Sequence, residues 1–109
     1  MPQKEDESEK EMIPKSFQIF GHEFKVIFQD DLIVEEEAVG TYRHGKHLIT
    51  IQNNGKGVTI LKSRQEQTFF HEITHCILDQ MGEEKLYHNE KFVDLFSQCL
   101  HQILKTAKY

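Results

Sequence analysis

Apolar positions recur along this chain with two different periods, and the period changes near residue 60. In the first half Phe17 and Ile19, then Phe24, Val26 and Phe28, alternate with polar neighbours, the two-residue period of a half-buried strand. Gly21 and His22 fall between the two runs and predict a hairpin turn. Asp30 to Glu37, with the acidic triplet Glu35 to Glu37, reads as a connection or a short helical turn. Thr41-Tyr42-Arg43 and His47 to Ile51 read as two more strands joined through Gly45, and Asn53-Asn54-Gly55-Lys56-Gly57 is a turn or loop signal.

Beyond that point the spacing becomes helical. Phe69, Phe70, Ile73, Ile77, Leu78 and Met81 recur at intervals of three and four, and Gly82 supplies a C-terminal stop. Ser63 followed by Glu66 fits a capping box at the start of this helix. Asn89 predicts the N-cap of a second helix, whose apolar stripe runs through Phe92, Val93, Phe96, Cys99, Leu100, Ile103 and Leu104. Strands followed by two helices define an α+β domain with a small, mainly antiparallel sheet.

Composition fixes the class. At 109 residues there is room for one core, here spanning residues 13–109, behind a charged tail over residues 1–12 that lacks the apolar surface to order itself. The net charge of −5 and the lack of Lys/Arg clusters argue against a non-specific grip on phosphate backbones, so no nucleic-acid partner is expected. No apolar run approaches the roughly 20 residues that span a bilayer, and the charged N-terminus predicts no secretory leader. The expected location is the cytoplasm, with Cys76 and Cys99 reduced and buried in the helical stripes.

The first helix carries TFFHEITHCILDQMG, Thr68 to Gly82. His71 and His75 lie one turn apart, on the same face, so their ring nitrogens can converge on one ion. Two imidazoles supply half of the tetrahedral shell that Zn²⁺ prefers. Glu72, beside the first ligand, is placed to act as the base that deprotonates a zinc-activated water. A third ligand is expected from Glu90, at the opening of the second helix, with Asp94 one turn on to accept the other ring N–H of a ligating histidine. His88 competes with Glu90, and its use would make a three-histidine site. His22, His44, His47 and His101 have no partner at ligand spacing and read as ordinary surface or sheet histidines.

Residues Glu66 to about Leu104, through TFFHEITHCILDQMG and NEKFVDLFSQCL, resemble the small zincin-type metallopeptidase-like proteins of phages and mobile elements, of ImmA/IrrE-type pattern. The resemblance implies zinc on His71, His75 and Glu90 with Glu72 catalytic, and a protein or peptide substrate held as an added strand, on this reading along His47 to Ile51. The segment from His88 also resembles the third-ligand region of SprT-type proteases. Nothing matches the metzincin extension, since Leu78 and Met81 stand where that pattern has Gly and His. A zinc-stabilised protein-binding module without catalysis is the alternative, motivated by the lack of an obvious substrate-binding lobe.

Overall fold

A computed structural model describes residues 11–30, 40–55 and 58–109. The expected connection over residues 31–37 and the tail over 1–10 lie outside the described residues. At the boundary, Met12 packs against the core and Glu11 pairs with Lys62 at 2.7 Å, so the packed chain begins slightly ahead of residue 13.

Strand β1 (Ser16–Ile19) turns into β2 (His22–Gln29) through Phe20 and Gly21, both at positive φ (53° and 83°). That pair of left-handed residues is what a two-residue hairpin needs to match strand twist. Phe17 lies opposite Phe24 and stacks on it at 5.4 Å. Strand β3 (Gly40–Arg43) pairs antiparallel with β4 (Leu48–Gln52), which inserts between β3 and β2. The β2–β4 pair is parallel, so the order β1-β2-β4-β3 is mostly antiparallel with one parallel seam. The loop signal after Gln52 contains more structure than expected, a minimal hairpin of β5 (Asn54–Gly55) and β6 (Val58–Thr59).

Helix α1 (Lys62–Met81) crosses the sheet and buries Phe69, Phe70 and Cys76 against Phe24, Val26, Tyr42, Ile49 and Ile51. The expected capping box does not form. Leu61 is the N-cap with no side-chain bond, and Ser63 is already inside the helix. Glu66 instead points inward, fully buried, and accepts from His101 Nε2 at 2.9 Å and Lys105 Nζ at 2.8 Å. A charged partner pair on the facing helix outweighs one local bond to a solvent-accessible N–H. Gly82, at φ 74°, ends α1 as expected, with Glu83 N–H bonded back to the Leu78 carbonyl.

A one-turn helix, α2 (Glu84–Tyr87), then reverses the chain; the sequence pattern did not predict it. Helix α3 (Glu90–Thr106) opens on Asn89, whose Oδ1 accepts from Phe92 N–H at 3.0 Å. The pairings Glu66–His101, His71–Asp94 and His75–Glu90 show that α3 runs antiparallel to α1. Cys76 is buried as expected, whereas Cys99 is exposed on the outer side of α3; both are free thiols.

Gly40 sets the distance between β3 and α1. A Cβ there would overlap the Thr68 Cγ2 methyl and lie 3.5 Å from Glu72 Cγ. Thr68 is β-branched and stiff at χ1, so the methyl does not swing aside freely. Gly40→Ala is therefore expected to cost about 1–3 kcal/mol by overpacking. Thermal unfolding checks this, and an unchanged melting temperature would show that the strand and helix slide apart without penalty.

Candidate metal centre

The antiparallel α1–α3 pair brings four sequence-predicted residues together. His71 and His75 project from one face of α1 with ring centroids 5.1 Å apart. Glu90, in the first turn of α3, spans both: Oε1 lies 3.3 Å from His71 Nε2 and Oε2 lies 3.2 Å from His75 Nε2. These three side chains are the one group of metal-capable ligand atoms among the described residues, all within 4.8 Å of one another.

The His–Glu distances are longer than those of close charge-assisted hydrogen bonds. Charge-assisted N–H···O bonds close to about 2.7–2.9 Å. Ligands about 2.0–2.1 Å from a tetrahedral ion sit roughly 3.3–3.4 Å from each other. Each His–Glu separation is near that edge length but runs to a different oxygen of Glu90, and the whole ligand set lies within 4.8 Å, a span that a bound ion would have to draw in.

The surrounding groups prepare the nitrogens. Asp94 Oδ1 lies 3.0 Å from His71 Nδ1. With the Nδ1 proton donated there, the Nε2 lone pair faces the cluster. Burial lowers the pKa of His75, and the charge of His71 lowers it further against the opposing pull of Glu90, so the ring is neutral near pH 7. A neutral ring is the form that coordinates a metal. His75 Nδ1 is buried with no close hydrogen-bond partner among the described residues, and the Tyr87 backbone nearby favours the protonated ring. The Tyr87 ring packs on the same imidazole at 4.7 Å.

Glu72 stands beside the cluster rather than in it. Burial pushes its carboxyl up to about 7, with His71 pulling the other way and Glu90 adding to the rise. A hydrogen bond from the Tyr42 backbone holds it toward β3 and favours the carboxylate. A carboxyl near 7 is matched to proton transfer at neutral pH.

His88 is not brought in. It caps α2 with its ring against Tyr87 at 5.0 Å, and Glu90 occupies the third position instead. The strand reading also needs correction. The run His47 to Ile51 lies mostly in β4, which is bonded on both sides, by β2 and by β3, and so has no free backbone edge to offer a peptide. The edge next to Glu72 is β3, Gly40–Arg43.

Two of the histidines read as ordinary have partners. His101 stacks on Phe70 at 5.2 Å and bonds Glu66. His44 Nδ1 meets Asp79 Oδ2 at 2.8 Å, and Tyr42 donates its hydroxyl to the same oxygen at 2.6 Å. Burial raises the Asp79 pKa, but the Tyr42 and His44 bonds outweigh it, and the carboxyl ends below its ordinary value. Asp79 continues the His71, His75 stripe by one more turn, the sequence signal that would have pointed to it. A cavity of about 510 Å³ opens there between His44, Asp79, Tyr87 and His88, sharing the Tyr87 wall with His75.

No known protein family matches the chain, and no curated protein or solved structure matches it either. No helix among the described residues is long and apolar enough to cross a membrane.

Proposed function

We propose that the protein is a zinc-dependent metallopeptidase of the small zincin type, acting in the cytoplasm on a protein or peptide and, by its motif segments, of the phage or mobile-element kind. One observation carries the reading: two imidazole nitrogens and a carboxylate from the facing helix gathered within 4.8 Å, with a second, half-buried carboxyl alongside. His71, His75 and Glu90 hold the ion, and Asp94 fixes the His71 ring. When bound, zinc supplies a Lewis acid for the scissile carbonyl and makes a water molecule more acidic. Glu72 would take a proton from the attacking water and give it to the departing amine nitrogen. Strand β3, outermost in the sheet among the described residues, would set an extended peptide beside Glu72.

Elemental analysis and a chelation series test this. Folded protein from zinc-containing buffer is expected to carry about one equivalent of zinc. His71→Ala should lose it, and hydrolysis of a denatured-protein substrate should stop with chelator and return with zinc. A folded protein that takes up no zinc ends the proposal.

A second reading is favoured by one feature. The ligands come from two helices, so the ion would staple α1 to α3 and serve a binding module without catalysis. In that case chelation lowers the melting temperature while Glu72→Gln changes nothing.

A further inference from the structure

Helix α3 has two apolar faces, and only one is packed against the described residues. Val93 and Ser97 are buried, and Leu100 packs against the core. On the outer side Leu95, Cys99 and Ile103 follow one another at intervals of four, forming a ridge. Leu95 is 53% exposed and Ile103 59%. Beside the ridge runs a groove of about 400 Å³ between α1 and α3, walled by Ile77, Met81, Leu86, Phe92, Phe96 and Leu100. Phe92 and Phe96 stack on each other at 5.6 Å along its length, and Met81 and Phe96 are 55% and 46% exposed.

The surface is complementary to itself. From Leu95 to Ile103 the ridge spans about 12 Å, and from Phe92 to Leu100 the α3 wall of the groove spans the same length. Ridge and groove are adjacent rows of one helix, both at four-residue spacing. Turning a second copy by a two-fold axis at a level midway between Phe96 and Cys99 lays each ridge along the other's groove, the isologous arrangement common in homodimers.

The area is adequate. Four side chains about half exposed, at roughly 200 Å² each, offer roughly 400 Å² of apolar surface per copy. At the about 65% apolar share of homodimer interfaces this corresponds to roughly 600 Å² per partner, the lower end of stable interfaces.

We propose that the outer face of α1 and α3 joins two copies of this chain in a two-fold dimer with antiparallel α3 helices. The metal cluster faces α1 from the opposite side of α3 and stays outside the interface.

Light scattering across a concentration series of the full chain tests this, with a short thiol-to-thiol crosslinker as the second readout. The expected mass at high concentration is twice 12.9 kDa. Cys99, displaced along the helix from its mate by only about 4.5 Å, should give a crosslinked dimer, while buried Cys76 stays silent. Ile103→Glu and, independently, Leu95→Arg should each weaken association by at least about tenfold with the melting temperature of the monomer preserved. A monomer at every concentration overturns the dimer and leaves the groove to a different partner. A dimer that survives both substitutions also overturns it, placing the contact elsewhere.

Discussion

Glu72→Gln is expected to retain zinc and lose hydrolysis by about 10²–10⁴-fold, the usual contribution of a positioned general base. The separation follows from the geometry. Glu72 supplies no atom to the His71, His75 and Glu90 cluster, so removing its charge takes nothing from the ligand set. The amide keeps the volume between β3 and α1, where Gly40 leaves little room, and the fold has no reason to shift. What disappears is the proton acceptor, which Gln does not replace. The measurement is kcat/KM on a peptide substrate beside zinc content for the same preparation. Equal activity in both proteins would remove Glu72 from the mechanism, and joint loss of metal and activity would make it a structural support of the site.

Much of the cluster was legible because its first half is local. His71 and His75 need only a helix to share a face, and the apolar spacing of α1 announces that helix. Glu90 was legible because Gly82 and Asn89 mark where one helix stops and the next begins, which limits where a returning carboxylate can land. What stayed hidden depends on pairings distant in sequence. Glu66 meets His101 across 35 residues, and the local pattern Ser63-x-x-Glu66 pointed to a cap instead. Strand alternation located β4 but not its neighbours. The parallel β2–β4 seam, which puts β3 at one end of the described sheet, has no signature in either strand alone. Likewise the stripe on α3 was legible as apolar, while its division into an inner face at Val93 and an exposed ridge at Leu95 and Ile103 depends on where α1 lies.

The buried Glu66 cluster yields a second large expected effect, on stability. Its carboxylate is fully buried, with Oε1 taking both the His101 and Lys105 bonds and Oε2 left without a partner. Lys105→Met removes one of the two groups compensating that charge. The expected loss is about 2 kcal/mol, below the roughly 3–5 kcal/mol of a fully enclosed pair because Lys105 is half exposed and partly screened by water. The double variant Glu66→Leu with Lys105→Met should be more stable than Lys105→Met alone, since it removes the stranded charge as well as its partner.

The pH dependence has a fixed sign. Burial acts to raise the Glu66 pKa from 4.5, but the bonds and charges of Lys105 and His101 outweigh it and the net shift is downward. A carboxyl held below its unfolded value binds fewer protons in the native state, so its stabilisation is complete above pH 4.5 and is lost as the pH falls through the lower folded value. Denaturant unfolding of metal-free protein, parent against Glu66→Gln, isolates this group. The difference between the two should shrink on acidification below pH 4.5, and a constant difference would mean that Glu66 titrates alike in the folded and unfolded states.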